Sequence, residues 1–560
     1  MAEHEHPSTP NPEGSDGHAV DARTADAHGA EATRRTSASP ARGLLGIAAV
    51  LPLAAAVAGL VMVPSARPQQ LPAPSAQAQV GPRAYACPGP LELPDDALAA
   101  GPDAKLSLTP PSQDARIRSV ALEADSSLLF GSVNASETQR DQQTGDVLAP
   151  RLTASGPDGE RIAAQPQAKD LGAAVLSLGP VHRGVDVEVA PGGKKPPVAD
   201  TVQVTSTPSG DFRSAAATRC SAPATTATFL GASTQVGDSS ALVLRNTSAR
   251  PATASVQAWG EKGAIAMKGR SRVVVPAGEE KRVLLESIAP GEAALGVRVD
   301  VLGAPLVMDL QTTSRDGLTP NGADVQSPLE PAGERLVIPA VRSHGAVPEL
   351  ILLNPGRTDA KVSAGVYGTG GTVKTDELDS IDLPAGQLVR VPVKGLPAGE
   401  FTVELFADQP ISAVARSRVP GRAQPGSAIG APSDQVIDTA APALNGGTVL
   451  AIPEPSALSR LVLVADESTS ATVIPIQSDG SAREPVTIKL RAGTTYLRTI
   501  AQLKADANTT GLAIIPESDG LVHGAWLHSQ DDGAGGRLIS SLTVVNPPAT
   551  GAELSVRTTG

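Results

Sequence analysis

Ala241–Ala254 reads ALVLRNTSARPATA, and Glu349–Val362, 108 positions further on, reads ELILLNPGRTDAKV. A third copy, Arg460–Val473, reads RLVLVADESTSATV, another 111 positions along. Each copy begins with apolar residues, breaks at a polar turn and resumes as a strand. The turn is Asn246-Thr247-Ser248 in the first copy and Asn354-Pro355-Gly356 in the second; the third has Asp466-Glu467-Ser468, so the Asn is lost. Two short runs around a turn are a pair of strands. Their recurrence at a fixed period marks a repeated structural unit.

The match continues downstream. Trp259-Gly260 and Tyr367-Gly368 are equivalent, and each is followed by a further glycine, Gly263 or Gly371. Val275-Pro276-Ala277-Gly278 matches Leu383-Pro384-Ala385-Gly386, with Arg491-Ala492-Gly493 in the third copy. About seven strands of about five to seven residues fit one unit, and Gly, Pro or Asn separates them. No segment sustains the 3.6-residue apolar period of a core helix. The expected fold class is all-β, as tandem immunoglobulin-like β-sandwich domains behind one N-terminal transmembrane helix. A β-propeller is the alternative; its blades repeat at about 40–50 residues, so each unit would hold two unlike blades.

Residues 83–222 precede the repeats and are also strand-rich: RIRSVALEA, AAVLSLG, GVDVEVA and TVQVTST are separated by Gly and Pro. Cys87 opens this region and Cys220 closes it, and the chain has no other cysteine. In an oxidising compartment they pair as a disulfide across the two ends of the domain; two free buried thiols are the alternative. The expected organisation is a cytoplasmic tail (1–42), a transmembrane segment (43–64), a Pro/Ala/Gln-rich linker (65–82), an N-terminal β domain (83–222) and three repeats (223–340, 341–448, 449–560).

The membrane segment rests on Gly43–Val63, which carries no charge. About twenty apolar residues span a hydrocarbon core of about 30 Å. Arg34, Arg35 and Arg42 precede it and only Arg67 follows closely. The positive-inside rule then puts the N-terminus in the cytoplasm and the bulk outside. The alternative is secretion after cleavage near Ala78, within Ala76-Gln77-Ala78.

The order of motifs resembles a known group. Tyr85-Ala86-Cys87-Pro88-Gly89-Pro90 opens the exported part. Gly210-Asp211-Phe212-Arg213 leads to Cys220, and Phe229-Leu230-Gly231-Ala232-Ser233-Thr234 precedes the strand ending at Asn246. This is similar to an uncharacterised actinobacterial group of secreted or single-pass membrane proteins, domain of unknown function 5719. The resemblance implies an extracytoplasmic β protein and transfers no catalytic residues.

Composition narrows the function. The 560 residues carry a net charge of -12, with aromatics at 2%. A nucleic-acid partner needs a basic footprint and stacking rings, and neither is in the sequence. No Gly-x-Ser-x-Gly elbow, His-Glu-x-x-His, Cys-x-x-Cys or phosphate-binding loop occurs. His523 and His528 are five residues apart in one strand and so face opposite ways, as surface or edge residues rather than a joint metal site. Asp531-Asp532 and the pair Asp141 and Asp146 lack the ligand spacing of a calcium loop and are read as solvated. Trp259 and Tyr367 are read as core packing at strand ends rather than sugar platforms. The sequence therefore points to a protein with no cofactor and no catalytic residue, held at the membrane and contacting an envelope protein or glycan. An accessory role in envelope polysaccharide or glycolipid assembly is the alternative, and a hydrolase with an unrecognised carboxylate pair is the remote one.

Overall fold

Strand pairing, followed along a computed structural model of the chain, divides the strands into groups with one recurring order. The structure describes residues 81–92, 113–134, 140–164, 171–210, 212–267, 271–375, 378–423 and 430–547, with two short strands at 75–76 and 554–555. The tail, the membrane segment Gly43–Val63 and most of the linker lie outside the described residues. Among those described, no helix is long and apolar enough to cross a membrane.

The group beginning at Thr226 shows the pattern. Its strands are Thr226–Ala232, Asp238–Arg245, Ala252–Gly260, a split fourth strand (Gly263–Ala264 and Arg272–Val275), Glu280–Leu284, Leu295–Gly303, Val307–Asp316 and Thr319–Gln326. One antiparallel sheet sets the first strand beside the sixth, the sixth beside the third and the third beside the fourth. The other sets the fifth beside the second, the second beside the seventh and the seventh beside the eighth.

The same two sheets recur in the strands from Arg83–Cys87 to Ser214–Arg219, and again from Thr448–Ala451 to Arg537–Thr543. They recur from Gly333–Ser343 to Ser433–Thr439, where one strand, Gly399–Pro420, supplies both the sixth and seventh positions. The region ahead of the sequence repeats is thus a fourth unit of the same topology. We call the four units modules one to four. The strand Gly333–Ser343 straddles residue 340 and pairs with Gly399–Pro420, so it opens module three.

This order differs from the immunoglobulin one. In an immunoglobulin domain the first strand lies beside the second, and the strand after the sixth lies beside the sixth. Here those two strands have exchanged sheets around a central Greek key of strands two, three, five and six.

The modules are not beads. Each interior is filled by Val, Leu, Ile and Ala, as in the cluster around Phe229, Leu242, Val256 and Leu310 of module two. The outer faces are covered as well. Leu230 and Trp259 of module two pack on Ile351, Leu353 and Val414 of module three. Ala340 of module three packs on Val462, Ala525 and Leu527 of module four. The core of module four runs on into Val120, Leu122 and Val202 of module one. In sequence order the eighth strands touch one another, and that of module four touches that of module one, so the cycle closes. Gly322, at φ +102°, allows one such approach: a Cβ there would lie 2.4 Å from the Gln435 amide nitrogen.

Candidate functional site

Functional side chains are best sought where modules meet, because that is where the polar groups removed from water collect. At the centre of the cycle, each eighth strand reaches the next. Ile437 N–H donates to Asp324 Oδ2 (2.8 Å), and Ile539 N–H donates to Asp434 Oδ2 (2.7 Å). Ala217 N–H donates to Ser540 Oγ (3.0 Å), and Ser327 Oγ donates to the Arg219 carbonyl (3.0 Å). Buried backbone donors require such partners. Burial pushes the Asp434 pKa up to about 7 and that of Asp438 up to about 6, and holds Asp324 well above the usual carboxylate range.

Each seam also holds a buried or half-buried arginine. Arg245 binds Asp186 between modules one and two (2.8 Å). Arg416 donates to the Gly231 carbonyl between two and three (2.6 Å). Arg342 donates to the Ser540 carbonyl between three and four (2.6 Å). Arg118 reaches Glu454 (2.8 Å) and the Thr509 carbonyl between four and one. Arginine suits these positions because one planar head serves several acceptors.

Several of the residues singled out by sequence are used in these seams. His523 and His528 are buried, not at the surface or an edge, because the strand Val522–Asp531 is covered on both faces. His523 Nδ1 donates to the Ala441 carbonyl (2.9 Å) and its Nε2 faces Asp466 at 3.3 Å. Burial, with Arg342 nearby, lowers the His528 pKa to about 4. The described residues contain no cluster of His, Cys, Asp or Glu able to hold a metal ion.

Asp532 is not a solvated loop residue. Its side chain is 3% exposed and pairs with Arg213 of module one at 2.6 Å. Burial works against the carboxylate, but the bonds from Arg213, Ala534 N–H and Gly536 N–H outweigh it and hold the pKa below the usual range. Asp141, by contrast, is only partly buried, and its carboxylate accepts from Gln143 and Thr144 N–H.

Trp259 is not part of its own module's core; it is half-buried against the apolar cluster that modules two and three share. Tyr367 occupies the equivalent seam, where its carbonyl accepts from Thr495 Oγ1 of module four (2.7 Å). The glycines of the repeated motifs meet there too: Gly263 lies against Gly386, and Gly371 against Gly493. Asn246 and Asn354 are buried and play one role: Nδ2 donates to a carbonyl four residues on and to a second at the end of the fourth strand, in the opposite sheet. Where the third copy has Asp466, the carboxylate leaves that turn and binds Arg335 of module three. Cys87 and Cys220 are joined as a disulfide, beside a two-way backbone pair between Ala86 and Ser221.

Sequence reading did not find the cavities. One of about 270 Å³ lies between modules three and four, lined by Arg342, Arg460, Arg537, His344 and Glu400, with Leu458 and Ile539 among its apolar walls. A second, about 570 Å³, lies between modules four and one and shares Leu458 and Ser529 with the first. The arginines of the first are scattered over some two hundred positions of sequence, so no local motif announces them.

The family of unknown function DUF5719 matches residues 177–499, more than half of the chain. The chain belongs to this family. No curated protein matches it. On the DUF5719 chain the match runs from the fifth strand of module one, Ala173–Val181, to that of module four, Tyr496–Thr499. It therefore includes the Asn turns, the aromatic-Gly pairs and two of the seams described above.

Proposed function

We infer that this DUF5719 protein is a non-catalytic component of the cell envelope, anchored by Gly43–Val63, with residues beyond 64 outside the membrane. It is a rigid platform whose rim loops and exposed edges bind an envelope protein or glycan. The finer fold we assign is a propeller-like ring of two-sheet modules, related to immunoglobulin domains only in the central Greek key of each.

One observation carries the non-catalytic reading. Four groups with displaced ionisation, Asp324, Asp434, Asp438 and His528, lie buried in the contacts that close the cycle, and the three aspartates already serve backbone or hydroxyl donors there. Active sites also displace pKa values, but to present a group to a substrate. The disulfide supports the location, since such bonds persist in oxidising compartments.

A periplasm-active reporter fused at the C-terminus, with a cytosol-active one as its counterpart, tests the location. Activity of the cytosolic reporter alone would end the reading. Cross-linking in intact cells followed by pull-down tests the platform role: an envelope protein or glycan is expected, and recovery of cytosolic proteins alone counts against it.

A further inference from the structure

We propose that the seam between modules three and four is a binding site for a small amphiphilic oxyanion. Its phosphate or carboxylate head sits among Arg342, Arg460 and Arg537, and its apolar body crosses Leu458 into the neighbouring groove. The site is independent of where the protein resides.

The charge balance favours an anion. Three guanidinium groups line the smaller cavity, and Glu400 is the one carboxylate among its lining residues. Glu400 is already engaged, by Arg460 at 3.0 Å and by His344 at 3.3 Å. Arg537 makes no ion pair among the described residues. Arg342 is 3% exposed, and its Nη1 has no hydrogen-bond partner. Arg342 too makes no ion pair among the described residues, and a buried guanidinium charge without a counter-ion is costly; an oxyanion in the adjoining cavity supplies one.

The body of the ligand follows from the second cavity. Pro208, Pro455, Ala457 and Leu458 line it. Leu458 is 41% exposed although it sits between the two cavities, so an apolar group there would cover it. The carboxylates of that groove, Asp114 and Asp531, place the anionic head in the other cavity. Asp114 is paired with Arg116 at 2.9 Å, and Asp531 accepts from Gly533 N–H. A charged pocket opening on an apolar groove is the usual form of a site that orients one small molecule.

The test is calorimetric titration of the full-length chain at constant ionic strength. The probes are hexyl phosphate, hexanoate, inorganic phosphate and hexanol. Hexyl phosphate or hexanoate is expected to bind at least about tenfold more tightly than either half-molecule, and which of the two binds better identifies the head group. R537A, a substitution at an exposed side chain, should weaken that binding by about tenfold or more. L458S should weaken the amphiphile and leave inorganic phosphate unchanged. R342M is the sharper probe of the head site, but it sits in the seam; R537A keeps the test valid if R342M does not fold. Binding of neither amphiphile, equal binding of hexanol, or unchanged affinity in R537A would overturn the proposal.

Discussion

Replacing Arg213 by alanine should open the cycle where its last module meets its first. Arg213 precedes the strand Ser214–Arg219, and Asp532 follows the strand Val522–Asp531, 319 positions later. Their 2.6 Å contact has both side chains 3% exposed, so solvent does not screen it. A bond from Arg213 Nη2 to the Arg537 carbonyl (3.2 Å) adds to the hold on the guanidinium. Gly421 and Gly536 make room for it: a Cβ on either would lie within 3 Å of Arg213 Nη2. Removing one partner of a buried pair costs about 3–5 kcal/mol, because the other charge is left without a counter-ion. Arg213 Nη1 has no partner even in the intact seam, which puts R213A toward the lower end. Asp532→Ala should cost more, since the Ala534 and Gly536 N–H groups also lose their acceptor, at about 1 kcal/mol each. Guanidinium denaturation is the assay, and the chain's two tryptophans divide the signal usefully. Trp526 is fully buried in the core shared by modules four and one, whereas Trp259 lies in the seam between two and three. If the ring is one cooperative unit, both probes shift together in R213A. A loss below about 1 kcal/mol, or a Trp526 transition separated from that of Trp259 in the unmodified protein, would refute the closed cycle as the source of stability.

Further outcomes follow from the same contacts. Burial raises the Asp309 pKa to about 8, that of Asp434 to about 7 and that of Asp438 to about 6. The folded state therefore holds protons that the unfolded chain releases near pH 4, so stability falls as pH rises from about 4 to 8. Asp309→Asn should flatten the upper part of that fall in thermal melts, and an unchanged slope would assign it elsewhere. Glu400, Asp466 and Asp532 have pKa values held below the usual range and act in the opposite sense, losing their contribution as pH drops below about 4. Asn354→Ala removes three hydrogen bonds at a fully buried site and should cost about 2–4 kcal/mol by denaturant titration; a cost below about 1 kcal/mol would mean the turn rearranges freely. Replacing Cys87 and Cys220 by serine removes a cross-link between positions 133 apart, worth up to about 5 kcal/mol in the loop-entropy model, so the melting midpoint should drop clearly.

The all-β class and the strands themselves were legible because turn residues and apolar runs are local signals. The repeated Asn was legible as a turn but not as a buried hinge. The aromatic-Gly pair and the Pro-Ala-Gly turn were visible as repeats, yet each reads as a property of one module. In the structure they are two sides of a seam: Tyr367 and Gly371 of module three face Gly493 and Thr495 of module four. The membership of module one was hidden because its sequence keeps none of these motifs, only the order of its strands. Asp532 was misread for a related reason. An acidic pair beside glycines looks solvated until an arginine from the far end of the chain is brought to it.

One sequence signal did speak against separate beads. A sandwich that stands alone has one face of each sheet in water, so its strands alternate. The second strands do not: ALVLR, ELILL and RLVLV are apolar almost throughout, and all but the leading residue or two of each strand are buried. Continuous runs belong to strands covered on both faces. The third strand of module two, Ala252–Gly260, does alternate over most of its length, because much of its outer face stays toward solvent. The exchange of the first and seventh strands gives this pattern its consequence. The chain enters each module in one sheet and leaves from the other, so the outer face of the first sheet lies ready to cover the second sheet of the next module. Four repetitions leave one uncovered face at each end, and in module four that face meets the matching one of module one. A chain lacking residues 448–547 should thus expose Val120, Leu122 and Val202 and bind a hydrophobic dye, whereas independent modules would lose only their own share of the signal. Full solubility of that truncation without dye binding would show that the modules stand alone.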